Sequence, residues 1–252
     1  KIHGLSAADY ADTLQKQLSE YEVSLAKTPA RKTELLQEAT IATGYTIDPA
    51  LVEKSETLSL FVCTFAGTGH LPLDTLEKHN VAIQNASGVH GPNIAEQVLG
   101  YILTFVRQLD RAWRQKQQTE WNHYQAGELK GSTATVIGLG PIGQTIVDRL
   151  NAFGVSTIGV RYTPSKGGPA DKIIGFDKVD LNDALVRTDH LVLACPLTET
   201  TEGLIDKEAL QLLPTDATVT NIARGEVIDT DALVEALQTN KLRGAALDVT
   251  DP

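Results

Sequence analysis

Hydrophobic positions alternate between helical and extended spacing through the first third of the chain. Tyr10, Leu14 and Leu18 recur every four residues behind Ser6, which predicts a helix capped by that serine. Short apolar runs predict three buried strands, at 22–26, 41–45 and 58–65. Helix-like stretches lie between them, at 32–39 and 49–54. This alternation is typical of a parallel sheet covered by helices. Such a unit normally opens on a strand, so we expect a further strand before Lys1.

A second alternation follows a long helical pattern that runs from Pro92 to about Lys116. The segment from Trp121 to Gly131 is polar and irregular. Beyond it we expect strands at 134–137, 156–160, 190–194, 217–222 and 245–249. The intervening helices are predicted at 142–153, 181–186, 207–212 and 231–237. The chain therefore belongs to the α/β class, with two parallel-sheet domains of the doubly wound kind.

Composition narrows the functional classes. The 252 residues carry a net charge of −10, which repels nucleic acid and anionic membranes. Neither a signal peptide nor a run of about 18 apolar residues is present, so we expect no membrane partner. Cys63 and Cys195 lie far apart in apolar surroundings, which favours reduced thiols in a cytoplasmic protein. We find no zinc spacing and expect no metal.

A glycine-rich turn is the strongest chemical signal. Gly138, Gly140 and Gly143 form a GxGxxG pattern, with Pro141 and Ile142 between the last two glycines, after an apolar strand and before an amphipathic helix. Gly138 allows a tight turn, Gly140 lets a pyrophosphate approach the backbone, and Gly143 lets helix and strand pack closely. The helix N-terminus then faces the phosphates. This context predicts a dinucleotide site.

The end of the next strand bears on which dinucleotide binds. NAD sites usually carry an acidic residue there, which accepts hydrogen bonds from the ribose 2′-hydroxyl. This chain has Arg161, followed by Tyr162 and Thr163. A guanidinium can hold a 2′-phosphate with charge-assisted hydrogen bonds, so we favour NADP and keep NAD as possible. In the alternative interpretation, Arg161 points to solvent and tolerates either cofactor.

Together the motifs resemble the D-isomer-specific 2-hydroxyacid dehydrogenases, the family of phosphoglycerate, glyoxylate/hydroxypyruvate and D-lactate dehydrogenases. Besides the glycine turn, five stretches match in order and spacing: 65–72, 85–90 with Ala95-Glu96, 195–198, 221–229 and 244–249. The resemblance implies a smaller, flavodoxin-like substrate domain over 1–91, completed by a segment beyond residue 252. It also implies a dinucleotide-binding Rossmann domain over 92–252.

The resemblance also implies roles for single residues. Arg224 matches the arginine that binds the substrate's carboxylate and keto oxygen, and the turn Ala66-Gly67-Thr68 matches the loop whose N–H groups hold that carboxylate. A surface ion pair and an ordinary strand-to-helix turn are the alternatives. Asp248 matches the aspartate that contacts the nicotinamide carboxamide, beside the Ala223 carbonyl; a cap on the following turn is its alternative. Cys195 and Pro196 match a loop that lines the cofactor.

The family's general acid/base is a histidine oriented by a glutamate, and we expect both beyond Pro252. Histidine occurs at positions 3, 70, 79, 90, 123 and 190, but none of these matches the expected position. We would not assign the catalytic role to His70 or His90, although both lie in matching motifs.

The resemblance thus implies an oxidoreductase that transfers a hydride between NADP(H), or NAD(H), and a small 2-oxo or D-2-hydroxy acid. Two alternatives share the scaffold: a cofactor-sensing protein of the corepressor kind, and a formate dehydrogenase. Tyr101, Phe105 and Trp113 offer an apolar stripe on the long helix, which favours either a homodimer interface or burial within the protein.

Overall fold

The computed structural model describes Gly4 and residues 6–251. His3, Pro252 and the strand expected before Lys1 lie outside this range. The chain divides into two compact units, with the boundary between Val89 and His90. No helix of the described residues is long and apolar enough to cross a bilayer. The assignment of a substrate role and a cofactor role to the two units stays a prediction.

The first unit holds a three-stranded parallel sheet, in the order β1 (Ile41–Gly44), β2 (Leu60–Cys63) and β3 (Ala82–Asn85). Its helices are α1 (Ala7–Gln17), α2 (Pro29–Glu38), α3 (Pro49–Val52) and α4 (Leu73–Lys78). Ser6 caps α1 as predicted, because its hydroxyl accepts the Asp9 N–H while the Asp9 carboxylate accepts the Ser6 N–H. The small core gathers apolar side chains such as Phe61 and Leu76.

The strand predicted at 22–26 is wrong, since residues 22–27 form no regular structure. A side chain from α1 bonds to this part of the chain. The Gln15 amide oxygen Oε1 accepts the Val23 N–H at 2.9 Å, and Nε2 donates to the Tyr21 carbonyl at 2.9 Å. The Val23 N–H is thus satisfied without a neighbouring strand.

The second unit is a six-stranded, fully parallel sheet in the order β6-β5-β4-β7-β8-β9. Its strands are β4 (Thr133–Ile137), β5 (Ser156–Val160), β6 (Lys172–Ile174), β7 (His190–Leu193), β8 (Ala217–Asn221) and β9 (Leu242–Leu247). Within the unit this order reads 3-2-1-4-5-6, the Rossmann arrangement. The predicted parallel α/β class with a Rossmann domain is therefore confirmed.

Helices cover both faces of this sheet, and an apolar core lies on each face. They are α5 (Gly91–Val106), α6 (Leu109–Gln117), α7 (Pro141–Ala152), α8 (Lys178–Leu185), α9 (Lys207–Leu212) and α10 (Thr230–Gln238). Sequence reasoning missed three short elements, α4, β3 and β6. The exposed strand β3 and the three-residue strand β6 carry too few buried apolar positions to produce a period.

The single long helix predicted from Pro92 to Lys116 is wrong, because the chain breaks between α5 and α6. Gln108 adopts a left-handed conformation with φ of 52°. Its carbonyl accepts the Tyr124 hydroxyl at 3.1 Å, and its Nε2 donates to the Gln125 carbonyl at 2.9 Å. Hydrogen bonds to a returning segment thus hold the break, and helical periodicity carries no signal of them.

His190 begins β7 at the amino edge of the sheet, away from the loops that follow the strands. Its side chain is buried, and Nδ1 shares a hydrogen bond of 2.8 Å with the Thr218 hydroxyl. Burial lowers the pKa of His190 below its ordinary value of 6.5, with Asp189 opposing part of the effect. The neutral imidazole is therefore a structural group.

This pKa predicts a loss of stability in mild acid. As the pH falls through 6.5, the unfolded chain takes up a proton at His190 that the folded chain resists, so the free energy of unfolding decreases. Urea unfolding followed by circular dichroism between pH 7.5 and pH 5.5 measures it. His190→Gln should flatten this pH dependence, and the exposed control His123→Gln should retain it; equal slopes in both variants would contradict the assignment.

Candidate functional site

The loops after the strands of the second sheet meet at its carboxyl edge. The glycine turn follows β4, and Arg161 follows β5. Cys195 follows β7, while Arg224 and Asp248 follow β8 and β9. The strand order reverses between β4 and β7, and ligands of open α/β sheets bind at such a reversal.

The glycine turn has no room for side chains at two positions. Gly138 has φ of 105°, and a Cβ there would lie 2.6 Å from the backbone of Ala194 and Cys195. A Cβ at Gly143 would overlap the Gly138 carbonyl oxygen at 1.9 Å. Only glycine therefore lets α7 approach β4 this closely.

Gly140 is different, since no heavy atom lies within 4 Å of the position that its Cβ would take. Gly140 is the N-cap of α7, and its carbonyl accepts the Gln144 N–H at 2.9 Å. Pro141 follows at the first helical position, so the first-turn N–H groups belong to Ile142 and Gly143. Open space before a helix N-terminus fits a dinucleotide pyrophosphate.

A cavity of about 590 Å³ opens beside this turn. It brings together many of the residues predicted to bind cofactor, namely Gly138, Gly140, Arg161, Tyr162, Thr163, Cys195 and Pro196. Sequence reasoning missed Lys166, Phe176, Glu199 and the adjacent threonines of the loop after β7, which line it as well. Five other predicted cofactor residues are not part of its wall: Pro141, Ile142, Gly143, Ala223 and Asp248.

Arg161 is half-buried and lines the cavity. Its backbone N–H donates to the Ile174 carbonyl at 3.0 Å, and its guanidinium donates to the Gly167 carbonyl. The Gly167-Gly168 pair, with φ of 66° and 153°, turns the chain so that this carbonyl faces the arginine. Arg161 is therefore a wall residue of the cavity and not a free solvent side chain.

Cys195 is buried in the same wall. Burial raises the pKa of its thiol to about 11. The thiol is thus protonated at neutral pH, so it cannot act as a nucleophile.

Arg224 is an exposed residue in a largely buried loop, which Asn221 holds at the end of β8. The buried Asn221 side chain accepts the Ala223 N–H at 2.9 Å through Oδ1 and donates to the Arg224 carbonyl at 2.8 Å through Nδ2. The Arg224 guanidinium donates to the Ala223 carbonyl at 2.6 Å. One amide side chain therefore fixes the backbone on both sides of Ala223.

Asp248 follows β9 next to this loop. Its N–H donates to the Asn221 carbonyl at 2.9 Å, and its side chain is exposed. Gly225 packs against the chain just beyond, since a Cβ there would lie 2.1 Å from the Asp251 N. Ala223, Arg224 and Asp248 therefore form a second group of predicted residues, at the ends of β8 and β9.

In the first unit, the turn Ala66-Gly67-Thr68 follows β2. Asn85, at the end of β3, donates from Nδ2 to the Ala66 carbonyl at 2.7 Å and accepts the Ser87 N–H at 3.2 Å. No heavy atom lies within 4 Å of a Cβ position at Gly67, so the space before the turn is open. Asn85 and Asn221 were not singled out from the sequence, although each stands at a strand end inside a matching motif.

The sequence profile described as "D-isomer specific 2-hydroxyacid dehydrogenase, NAD binding domain" matches residues 99–252. This chain belongs to the D-isomer-specific 2-hydroxyacid dehydrogenase family. The resemblance inferred from the motifs is thereby confirmed, and the second unit is an NAD-binding domain of the Rossmann kind.

Related proteins match most of this chain. The D-3-phosphoglycerate dehydrogenase of Methanocaldococcus jannaschii is 32% identical over 240 residues, which are 93% of this chain and 45% of that protein. The glyoxylate reductase/hydroxypyruvate reductase of Homo sapiens is 34% identical over 192 residues, which are 74% of this chain and 58% of that protein. The chain thus spans about half the length of these relatives.

A solved structure is also similar to this chain. The D-isomer specific 2-hydroxyacid dehydrogenase family protein from Aeromonas salmonicida subsp. salmonicida A449 superposes with a TM-score of 0.78 at 29% identity. The match covers 98% of this chain and 79% of that one.

Because the space at Gly140 is open, we expect a substitution there to weaken cofactor binding without affecting folding. Gly140→Ala should leave the melting temperature unchanged and weaken NADH binding about tenfold, because a methyl group would occupy the approach to the helix N-terminus. Fluorescence titration with NADH and thermal unfolding measure the two effects.

Two other glycines provide the comparison. Gly100→Ala, equally open but in the middle of α5, should leave NADH affinity unchanged. Gly143→Ala should destabilise the second unit, because its methyl group would overlap the Gly138 carbonyl. Unchanged NADH affinity in Gly140→Ala would show that the phosphates bind elsewhere.

Proposed function

We propose that the protein containing this chain transfers a hydride between NADP(H), or NAD(H), and a small 2-oxo or D-2-hydroxy acid. The observation that carries the proposal is the pairing, at one sheet edge, of an open glycine turn with an exposed arginine on a fixed loop. The names of the relatives, D-3-phosphoglycerate dehydrogenase and glyoxylate reductase/hydroxypyruvate reductase, support the same reaction class. No observation favours a cofactor-sensing corepressor or a formate dehydrogenase.

A bound nicotinamide supplies or accepts the hydride, and the residues of this chain orient the acid. Arg224 binds the carboxylate and polarises the keto oxygen: a guanidinium has five N–H donors, and one of them already fixes it to the Ala223 carbonyl. The N–H groups of the Ala66-Gly67-Thr68 turn hold the same carboxylate. The reaction also needs a general acid/base that exchanges the proton of the hydroxyl group.

Two groups of residues bind the cofactor in this proposal: those beside the glycine turn and those at the ends of β8 and β9. The first-turn N–H groups of Ile142 and Gly143 and the space at Gly140 receive the pyrophosphate. Cys195 and Pro196 form the wall after β7. The Ala223 carbonyl and the Asp248 side chain accept hydrogen bonds from the nicotinamide carboxamide. The Ala223 carbonyl oxygen uses one lone pair for the Arg224 guanidinium and has a second one for the cofactor.

The proposed preference for NADP rests on the positive charge in the cavity wall. Arg161 and Lys166 both line it, next to the Tyr162-Thr163 backbone. Two cations attract a 2′-phosphate, and the half-buried guanidinium is less screened than a surface charge. Glu199 is the acidic residue of the same wall.

We also propose a cytoplasmic homodimer. Trp113 on α6 is 61% exposed and Trp121 is 97% exposed, and aromatic side chains are enriched at protein–protein interfaces. Phe105 does not contribute, because its ring lies over Gly244 and 5.9 Å from the Arg243 guanidinium of its own unit. Both cysteines are free and buried, which supports a reducing compartment.

Arg224 provides the test of the reaction. In the full-length protein, Arg224→Lys should lower kcat/KM for 2-oxo acids by about 10²- to 10³-fold, because a lysine cannot form the paired contact to carboxylate and keto oxygen. Loss of absorbance at 340 nm with glyoxylate and hydroxypyruvate measures this. Arg187→Lys, an equally exposed arginine at the opposite edge of the sheet, is the control. No turnover of any 2-oxo acid by the unmodified protein would refute the proposal.

Arg161 provides the test of cofactor choice. Arg161→Gln should weaken NADPH binding about 10- to 100-fold and leave NADH binding nearly unchanged, because only NADPH carries the phosphate. Glu199→Gln should shift the ratio of the two dissociation constants the opposite way. Equal effects of Arg161→Gln on NADPH and NADH would refute the preference.

A further inference from the structure

An aromatic cluster, made of Tyr45, Phe65 and His70, stands at the carboxyl edge of the first sheet. Tyr45 follows β1, and the other two follow β2. The rings of Tyr45 and His70 are stacked, with centroids 4.2 Å apart and planes 12° apart. Phe65 meets Tyr45 edge-on, at 4.9 Å and 80°. None of the three has a role in the function proposed above.

Hydrogen bonds hold the His70 ring against the main chain of Tyr45. The His70 Nε2 lies 2.7 Å from the Tyr45 carbonyl oxygen and donates to it. The buried Cys63 thiol reaches the same carbonyl at 3.6 Å. Because the His70 ring is fixed and the Tyr45 ring packs between His70 and Phe65, binding against the cluster orders few side chains and costs little conformational entropy.

The cluster also leaves apolar surface uncovered. Tyr45 is 52% exposed and Phe65 is 47% exposed within the described residues. Covering aromatic surface with another apolar group is favourable, and ring edges and faces add directional contacts. A ligand with an apolar group therefore fits this surface.

Charge at this edge of the sheet excludes another class of ligand. The segments that follow the three strands, 45–48, 64–72 and 86–89, contain no lysine or arginine. Besides the Tyr45 phenol, their ionisable side chains are Asp48, which caps α3, and His70, whose Nε2 donates to the Tyr45 carbonyl. A phosphate dianion placed here would lose hydration and meet no cation from these segments.

The cluster is continuous with the turn assigned to the substrate carboxylate. Phe65 directly precedes Ala66, and the Cys63 thiol lies 4.0 Å from the Gly67 carbonyl oxygen. The side chain of a 2-oxo acid begins two bonds from its carboxylate carbon. A carboxylate held at the turn therefore brings that side chain within reach of the rings.

We propose that the aromatic cluster binds the side chain of the 2-oxo acid and selects branched or aromatic apolar groups over phosphorylated ones. The inference rests on the proposed function, because it takes the Ala66-Gly67-Thr68 turn as the carboxylate site. It assigns this chain a substrate class different from the one in the name of its Methanocaldococcus jannaschii relative.

A substrate panel tests the selectivity in the full-length protein. The acids are glyoxylate, which has no side chain, 4-methyl-2-oxopentanoate, phenylpyruvate and 3-phosphohydroxypyruvate, each with saturating NADPH and, in parallel, with saturating NADH. We expect kcat/KM for at least one apolar acid to exceed that for the phosphorylated acid more than tenfold. Preference for the phosphorylated acid would overturn the inference and leave the reaction class standing, whereas reduction of no acid would overturn both.

Variants then test the cluster itself. Tyr45→Ala should lower kcat/KM for the apolar acids about tenfold relative to glyoxylate, and Tyr45→Phe should restore it. The ratio to glyoxylate is independent of the folded fraction, so a loss of stability does not mimic the effect. Tyr21→Ala is the matched control, since Tyr21 is 51% exposed in the same unit but outside the cluster.

The complementary measurement adds a positive charge to the cluster in order to reverse its selectivity. Phe65→Arg should raise kcat/KM for 3-phosphohydroxypyruvate relative to phenylpyruvate at least tenfold, because it places a cation where the wild-type edge has none. A Tyr45→Ala effect that is equal for glyoxylate and the apolar acids, or an unchanged ratio in Phe65→Arg, would show that the rings are only structural.

Discussion

The second unit depends on the contact between α7 and β4, which leaves no space for a Cβ at Gly138 or Gly143. This contact places the N-terminus of α7 directly above the point where the strand order reverses. The turn is packed on its inner side, against Ala194 and Cys195, and open on the outer side, at Gly140. The same three glycines thus fix the fold and leave room for phosphates. A side chain at Gly138 or Gly143 would disturb both stability and cofactor affinity, whereas one at Gly140 would disturb cofactor affinity alone.

Two asparagines position the backbone that the proposed reaction uses. Asn221 bridges the Ala223 N–H and the Arg224 carbonyl, and Asn85 bridges the Ser87 N–H and the Ala66 carbonyl. Each stands at the carboxyl end of a strand and uses both its donor and its acceptor on main-chain groups. A loop held through its main chain keeps its shape while its exposed side chain or N–H groups face a ligand.

In the proposed reaction, recognition of the acid divides between charge and shape. Arg224 and the turn after β2 suit the carboxylate common to all 2-oxo acids, and so they do not discriminate among these acids. The aromatic cluster differs from such groups in carrying no cation and much apolar surface. Selectivity is a difference between binding free energies, and an uncharged wall discriminates against a phosphate through the hydration that the phosphate would lose.

The sequence by itself determined the parallel α/β class, the glycine turn and the family, because each depends on local spacing: apolar runs, a strand-turn-helix motif, and motifs in fixed order. Tertiary structure decided the rest. The helix break at Gln108 and the irregular backbone at 22–26 are accompanied by hydrogen bonds to Tyr124, Gln125 and Gln15, none of which affects the local hydrophobic pattern. Likewise, Arg161 joins the cavity wall through Gly167, and Tyr45 meets a histidine 25 positions away. Such contacts arise only when the chain folds back on itself, so no periodicity along the sequence records them.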